Sequence, residues 1–195
     1  SRGLGDVYKR QPTYSMRTLA YHEATPGHHH QIAHSLENED LTLYRRFGYF
    51  TSSFAEGWAL YSEILALEAG LAEDPYDELG ILQSELFRAV RLVVDTGMHY
   101  KRWTREEAMK YMKTKTGMSD TEVRVEIERY IVWPGQALSY KVGMIKILEL
   151  REKAMSELGD KFNIKDFHSA VLDHGNPPLF IVEEMVNNMI KENLN

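Results

Sequence analysis

Apolar residues recur along this chain at intervals of three and four, which is the spacing of helices with one buried face. The first long run with this spacing consists of Phe54, Trp58, Tyr61 and Leu65. It predicts a helix over residues 54–71. A second long helix is predicted from Asp74-Pro75 to His99, because proline is favoured in the first turn of a helix. Its predicted buried stripe consists of Leu79, Leu82, Leu86, Val90 and Val93.

Start and stop signals predict the remaining helices. Thr104 and Ser119 are each followed three residues later by a glutamate, which is the capping-box pattern of a helix N-terminus. Pro134 and Gly159 delimit a helix over residues 134–158. The last two helices are predicted over residues 166–172 and 178–191. Because no segment has the pattern of a strand and no repeat is present, the predicted fold class is all-α.

Composition narrows the functional classes. The 195 residues are 43% hydrophobic and 27% charged, which suits one globular unit. The net charge of −6 provides no basic surface for a phosphate backbone, so no nucleic-acid partner is expected. No apolar run approaches the ~20 residues of a transmembrane segment, and no signal peptide is visible. Cytoplasmic, periplasmic and secreted locations all stay open.

A histidine-rich segment, H-E-A-T-P-G-H-H-H-Q over residues 22–31, carries the strongest chemical signal. In the metalloprotease pattern H-E-x-x-H, two histidines one helical turn apart hold zinc and the glutamate acts as general base. The chain contains no cysteine, so His, Asp and Glu are the side chains available to hold a metal. The segment therefore predicts a metal site, with a solvated histidine cluster as the alternative.

The spacing of the two candidate ligands departs from the reference pattern. His28 follows His22 by six residues, which is ~240° around a straight helix. Pro26 and Gly27 are predicted to form a bulge that returns His28 towards His22. The interrupted helix is expected to span residues 15–35.

A third ligand has to come from another part of the chain, because a catalytic zinc takes about three protein ligands. Glu56 is the best candidate, since it lies near the start of the next long helix, where a helical hairpin can return it to the metal. Glu63 lies two turns further on the same face, either as a competing ligand or as the partner of a ligand. Two acids on a solvated helix face are the alternative.

Four segments together resemble a bacterial family, the domain-of-unknown-function family number 885. They are residues 19–31, 56–63 (E-G-W-A-L-Y-S-E), 95–99 (D-T-G-M-H) and 133–141 (W-P-G-Q-A-L-S-Y-K). The resemblance extends from about Ser15 to Ile190. The family is similar to helical zinc metallopeptidases of the oligopeptidase and carboxypeptidase kind. This resemblance implies a multi-helix, zincin-like catalytic region that forms the C-terminal part of a larger helical enzyme.

The resemblance also implies roles for individual residues. One zinc ion per chain is expected to bind His22, His28 and Glu56, with Glu23 as the base that activates water. Tyr140 lies in a segment that looks like the late tyrosine-bearing helix of the oligopeptidases. It is therefore expected to donate a hydrogen bond to the oxyanion.

Other polar residues are expected to support the site. Asp95 and His99 are one helical turn apart and can pair, either as part of the site or as an ordinary intrahelical hydrogen bond. Arg91 shares their face and is predicted either to orient a substrate carboxylate or to form a surface ion pair. His29 is expected near the mouth of the site. His168, on an amphipathic helix, is predicted to be a core histidine.

Residues 1–11 show no apolar periodicity and are predicted to be a non-native leader, so that residues 12–195 form one helical metallopeptidase-like catalytic domain. Family members are usually much longer, and a missing N-terminal half of the same enzyme is expected to complete the cleft. The expected activity is zinc-dependent hydrolysis of short peptides, with a peptide or small amide as substrate. The alternatives are a metal-dependent amidase or esterase on a non-peptide substrate and a non-catalytic helical interaction module.

Overall fold

The structure, a computed structural model, describes residues 13–48 and 50–194. Within these two ranges the chain forms helices and turns and contains no strand, so the all-α prediction is confirmed. The α-helices of the described chain are α1 (Met16–Glu23), α2 (His28–Glu37), α3 (Ser52–Glu68), α4 (Pro75–His99), α5 (Arg105–Thr116), α6 (Asp120–Val132), α7 (Gln136–Leu158), α8 (Ile164–Leu172) and α9 (Leu179–Leu194). A π-helical turn, Tyr44–Gly48, precedes α3, and a 3-10 turn, Gly159–Lys161, follows α7. The predicted leader lies outside the described residues. None of the described helices is both long and apolar enough to cross a membrane.

Capping boxes fix the starts of three of the described helices. Asp74, Thr104 and Ser119 each accept a backbone hydrogen bond from the residue three positions on, and the acid there bonds back to the backbone N–H of the cap. Each pair satisfies donors that the helix itself leaves unpaired. The capping boxes predicted at Thr104 and Ser119 are confirmed. The helix predicted over residues 54–71 is Ser52–Glu68.

Helices α3 and α7 form the most extensive helix pair of the described chain. A Cβ atom at Gly57 of α3 would lie 2.5 Å from the backbone of Gly143, and a Cβ atom at Gly143 would lie 1.8 Å from the carbonyl oxygen of Ser53. Both distances are far below van der Waals contact. The two backbones can therefore touch only because glycine occupies both positions.

Two clusters of buried apolar side chains stabilise the fold. The larger joins α3 and α7 to α8 and α9, and includes Trp58 and Phe167. The smaller joins α4, α5 and α6 to the first turn of α7, and includes Val94 and Ile127. Each large apolar side chain buried in this way contributes roughly 1.5–3 kcal/mol. Helix α7 belongs to both clusters and so connects the two halves of the core.

The buried stripe predicted for α4 is wrong for four of its five residues. Val90 is buried, but Leu79, Leu82, Leu86 and Val93 are between 37% and 49% exposed. The buried residues of this helix are Asp77, Gly80, Ile81, Ser84, Val90, Arg91, Val94, Asp95 and Gly97. Amphipathic periodicity assigns polar residues to solvent, whereas several polar residues of α4 bond to other elements inside the protein.

Adding one methyl group at Gly143 should destabilise the protein strongly. Gly143→Ala would force α3 and α7 apart, and overpacking of this kind costs ~1–3 kcal/mol or more. Gly117→Ala is the matched control, because a Cβ there meets nothing within 4 Å and carries only the cost of a left-handed backbone, ~1–2 kcal/mol. Urea unfolding measures both changes. A Gly143→Ala protein as stable as the wild type would contradict the close contact.

His168 on α8, predicted to be a core histidine, is partly buried and packs against residues of the larger cluster. Its Nε2 forms a 2.9 Å hydrogen bond with the hydroxyl of Tyr61, and its ring packs against Trp58 and Phe167. Burial lowers the pKa of His168 to about 4, because the charged imidazolium is poorly solvated in this position. The folded protein therefore keeps this imidazole neutral.

Protonation of His168 is expected to destabilise the fold in mild acid. The folded-state pKa lies below the ~6.5 of an unfolded histidine, so the stabilisation is complete above pH ~6.5 and is lost as the pH falls towards 4. Between pH ~7.5 and ~5, protonation of His168 should lower the unfolding free energy of the wild type by about 2 kcal/mol. The His168→Gln protein should lack this decrease when its unfolding free energy is measured at the two pH values. The control His29→Gln changes an exposed histidine and should leave that loss unaltered. An unaltered loss in His168→Gln would refute the assignment.

Candidate metal centre

His22, at the C-terminal end of α1, is buried and held in one orientation. Its Nδ1–H donates a 2.7 Å hydrogen bond to Oε1 of Glu63 on α3. The second oxygen of Glu63 accepts a 2.9 Å hydrogen bond from the hydroxyl of Thr18. The ring is therefore fixed from behind, and its Nε2 lies 3.7 Å from Oε2 of Glu56.

Residues 24–27 separate α1 from α2, and they replace the predicted bulge with a complete break in the helix. The carbonyl oxygen of Pro26 accepts a 2.9 Å hydrogen bond from the indole N–H of Trp58. A Cβ atom at Gly27 would lie 1.9 Å from the carbonyl oxygen of His22, so only glycine allows the chain to fold back this tightly. The prediction of a bulge within one helix is wrong, because the chain forms two separate helices here. The expected return of His28 to His22 does occur, and their ring centroids are 4.9 Å apart.

Glu56, in the second turn of α3, completes the cluster. Its Oε2 lies 3.1 Å from Nε2 of His28 as well as near His22. One donor atom from each of the three residues lies within 4.8 Å of the other two, and no other group of three such residues was found in the described ranges. The predicted convergence of His22, His28 and Glu56 is therefore present. Glu63 contacts the far side of His22 and is not in this group.

The electrostatics of the cluster favour an ionised Glu56. Burial by itself raises the pKa of this carboxyl, but the neighbouring imidazoles of His22 and His28 outweigh burial and lower the pKa to about 2. Burial lowers the pKa of His22, but the neighbouring side chains of Glu56 and Glu63 more than reverse that effect, so its pKa is raised.

The donor set fits a divalent transition metal. Two imidazole nitrogens and one carboxylate oxygen are a common protein ligand set for zinc. In a tetrahedral site with bonds of ~2.0–2.2 Å, neighbouring donors lie ~3.3–3.6 Å apart. The observed separations of 3.1 and 3.7 Å to Glu56 bracket this range. All three donor atoms lie within 4.8 Å of one another, so the two rings would have to approach each other for the three donors to bind one ion.

Tyr140, on the second turn of α7, lies beside this cluster although it is more than a hundred residues away in sequence. Its ring is stacked on His22 at a centroid distance of 6.0 Å, and its hydroxyl is one of the groups that lower the pKa of Glu56. The return of this helix to the candidate ligands is thus present, as expected. The role of the hydroxyl stays a prediction.

Gln136, the first residue of α7, was missed by the sequence reasoning. Its side-chain amide contacts Glu56, Tyr140, Arg91 and Arg129. A usable signal was present, because Gln136 precedes Tyr140 by four residues and so shares its helix face.

Asp95 and His99 do pair, and the carboxylate also anchors the start of α7. Oδ1 of Asp95 lies 2.8 Å from Nδ1 of His99, and both its oxygens accept the backbone N–H of Gly135 at 3.1 and 3.2 Å. Gly135 adopts a left-handed conformation with φ of +84°. His99 lies at the surface and has no contact with the three candidate ligands. The pair therefore positions the turn before α7.

Arg91 is 3% exposed, so the surface ion pair considered for it is wrong. Its guanidinium lies over the ring of Tyr140 at 4.3 Å and donates a 3.1 Å hydrogen bond to Oε1 of Gln136. It has no ion pair with another residue in the described part of the chain, and its Nε is buried without a partner. Its predicted contact with a substrate carboxylate is untested.

Glu23 and His29 flank the cluster without joining it. Both residues are exposed, and their side chains form no hydrogen bond or ion pair with any residue of the described ranges. Glu23 ends α1 directly after His22, while His29 follows His28 in the first turn of α2. Their position at the edge of the cluster is consistent with access from solvent.

These features define an all-α protein with a candidate metal centre of two histidines and one glutamate. Residues 3–186 match the family described as "Bacterial protein of unknown function (DUF885)". The chain belongs to this family, as its motifs predicted. The family description assigns no activity, and no curated protein matches the chain.

Two solved structures are similar to this chain. One is the crystal structure of the "putative lipoprotein" from Colwellia psychrerythraea, with 54% identity, a TM-score of 0.88 and coverage of 93% of this chain and 31% of that one. The other is a "putative lipoprotein of unknown function" from Shewanella oneidensis, with 27% identity, a TM-score of 0.82 and coverage of 89% and 32%. The chain therefore spans about a third of the length of these relatives.

Removal of the Glu63 carboxylate should weaken metal binding at His22. In Glu63→Ala the imidazole is free to rotate and to change tautomer, and the loss of such a partner costs ~10–100-fold in metal affinity. Glu63→Gln retains an acceptor for the Nδ1–H of His22 and should lose less. Competition of the folded proteins with a chromophoric zinc chelator measures the affinities. Equal affinity in Glu63→Ala and wild type would mean that Glu63 does not orient His22.

Proposed function

We propose that this chain is the metal-bearing part of a zinc-dependent hydrolase that cleaves peptide bonds in short peptides. The observation that carries the proposal is the convergence of His22, His28 and Glu56, with the Nε2 atoms of both rings beside one carboxylate oxygen. The hydrogen bond from His22 to Glu63 adds support, because ligating histidines commonly donate their second N–H to a carboxylate. A chance histidine cluster does not require such a buried partner.

One zinc ion per chain would be held by His22, His28 and Glu56. This donor set is that of several zinc peptidases, and it leaves a fourth coordination position for water or substrate. When bound, the ion supplies Lewis-acid activation of water and of the scissile carbonyl. Manganese or cobalt would also accept these nitrogen and oxygen donors.

Glu23 is the proposed general base. It follows a ligand directly in sequence, it is exposed, and its carboxylate has no partner among the described residues. In hydrolysis it accepts a proton from the attacking water and delivers that proton to the departing amine nitrogen. The water oxygen bonds to the carbonyl carbon as the C–N bond breaks. A carboxylate and an amine result, and no further reactant is required.

Tyr140 is the proposed donor to the negative charge that develops on the carbonyl oxygen. Its ring is stacked on the proposed ligand His22, and its hydroxyl and the carboxylate of Glu56 are both reached by the side-chain amide of Gln136. The ring of His22 and the guanidinium of Arg91 both pack against the tyrosine ring and restrict its rotation. A hydroxyl held in this way can donate without first reorganising.

The rest of the cleft is proposed to come from the larger part of a longer protein. The chain spans about a third of its two structural relatives, and the exposed face of α4 carries Leu79, Leu82 and Leu86. An apolar face of this kind is a suitable surface for a further domain to cover. A cavity of about 280 Å³ between Leu19 and Phe87 lies beside it. A cleft closed from this side would admit short peptides or small amides rather than folded proteins.

The longer protein is proposed to be exported. The relative from Colwellia psychrerythraea, at 54% identity, is described as a "putative lipoprotein", and so is the relative from Shewanella oneidensis. Recovery of the full-length protein in the membrane fraction, with release by lipase treatment, tests this location. Recovery in the cytoplasmic fraction would contradict it.

His22→Ala and Glu23→Gln should fail in different ways, because a ligand and a base have different tasks. His22→Ala should lose bound zinc, whereas Glu23→Gln should keep zinc and lose turnover by ~10²–10⁴-fold. Metal content after dialysis and peptide hydrolysis by the longer protein are the measurements. Loss of metal in both variants would make Glu23 structural. A wild type without zinc would favour the interaction module, and cleavage of esters but not peptides would favour the non-peptide hydrolase.

Tyr140→Phe should lower turnover by ~10²-fold, the scale for the loss of one donor to the oxyanion, while KM and zinc content barely change. The measurement is steady-state kinetics of the metal-loaded longer protein. A tyrosine with only a packing role would behave differently, since its variant would lose stability and retain turnover per folded molecule. That result would remove Tyr140 from the mechanism.

A further inference from the structure

We infer that Gln136 is a positioning residue of the candidate metal centre, with one amide group that holds both the ligand carboxylate of Glu56 and the hydroxyl of Tyr140. This inference rests on the proposed function, since it assigns Gln136 a task in preparing Glu56 to bind the ion. It is carried by four contacts of a single side chain.

The orientation of the amide is determined by the charges around it. Its Oε1 accepts hydrogen bonds of 3.1 Å from Arg91 and from Arg129. A guanidinium can only donate, so the amide oxygen has to face the two arginines. The NH₂ group therefore faces Glu56 and Tyr140. If the amide were flipped, its NH₂ group would face the two arginine donors and its oxygen would face the carboxylate of Glu56, so neither contact could be a hydrogen bond.

The NH₂ group distinguishes the two oxygens of Glu56. It lies 3.4 Å from Oε1, while Oε2 lies 3.1 Å from Nε2 of His28. One oxygen is thereby held by the protein and the other is left for the ion, which favours binding through a single oxygen. At 3.3 Å the same NH₂ group reaches the hydroxyl of Tyr140. These bonds are long, so their main effect is on orientation rather than on binding energy.

The backbone of Gln136 is fixed as firmly as its side chain. The preceding Gly135 is held in a left-handed conformation by the bonds from its N–H to Asp95. Arg91, which is buried and without an ion pair in the described ranges, has Gln136 as its hydrogen-bond acceptor. The amide oxygen of Gln136 is therefore held by two cations, and the residue before Gln136 is held by a carboxylate. A side chain fixed in this way can hold Glu56 and Tyr140 in a constant position.

Two variants separate a positioning role from a merely structural one. Gln136→Met has a similar shape but lacks both the donors and the acceptor. Gln136→Glu keeps the acceptors for Arg91 and Arg129, so the fold is retained, but it removes the NH₂ group. Thr104→Ala is the stability control, because loss of that cap costs ~1 kcal/mol at a site far from the metal ligands.

Metal binding by the folded proteins is the readout, independent of turnover. We expect Gln136→Met to bind zinc ~10–100-fold more weakly than wild type in competition with a chromophoric chelator. With cobalt(II) in place of zinc, both Gln136 variants should show shifted visible absorption bands, because the coordination of Glu56 changes. The added charge of Gln136→Glu attracts the cation by itself, so the zinc affinity of this variant does not report on positioning. Thr104→Ala should match the wild type in affinity and spectrum.

The outcomes test two claims separately, namely that the site binds a metal and that Gln136 positions Glu56 and Tyr140. Wild-type zinc affinity in Gln136→Met, together with wild-type cobalt spectra in both variants, would overturn the inference and leave the proposed function standing. A wild-type protein that binds neither zinc nor cobalt would overturn both. If Gln136→Met does not fold, the cobalt spectrum of Gln136→Glu decides, and a wild-type spectrum there again overturns the inference.

Discussion

The backbone contact between α3 and α7 is the constraint on which the rest of the structure depends. Gly57 and Gly143 remove the side chains that would otherwise separate the two helices. Glu56 is the neighbour of Gly57, and Tyr140 lies about one helical turn before Gly143, so the same contact sets the distance between a candidate ligand and the candidate oxyanion donor. Two helices at an ordinary separation of 8–10 Å would hold these groups further apart.

Most of the buried polar groups near the candidate centre have hydrogen-bond partners, although the Nε of Arg91 has none among the described residues. Buried charges are costly unless each finds a partner. Glu63 accepts hydrogen bonds from His22 and Thr18, and Asp95 pairs with His99 and accepts from the main chain before α7. Arg91 donates a hydrogen bond to Gln136. A core built only for stability would use apolar residues at these positions. Their concentration around three potential metal ligands is typical of a functional site.

Much of the site could be predicted from the sequence, because local motifs carry their own geometry. The residues His22, His28 and Glu56 were identified from spacing and family resemblance, and the structure brings them together. The buried face of α4 was not predictable from periodicity, since the rule that polar residues face solvent fails where they face each other. The spacing of four residues could have placed Gln136 on the helix face of Tyr140, but its contacts with Arg91 and Arg129 were not predictable, because these residues come from separate helices. Long-range polar contacts of this kind leave no local pattern.

The most direct test of the central claim is a crystal of this protein grown with zinc and measured at the zinc absorption edge. The account predicts one anomalous peak per chain, within ~2.0–2.2 Å of Nε2 of His22, Nε2 of His28 and an oxygen of Glu56. It also predicts that Glu63 stays on Nδ1 of His22 rather than on the ion. A folded protein with no peak between these three residues, or with zinc only on exposed histidines such as His29, would contradict the claim.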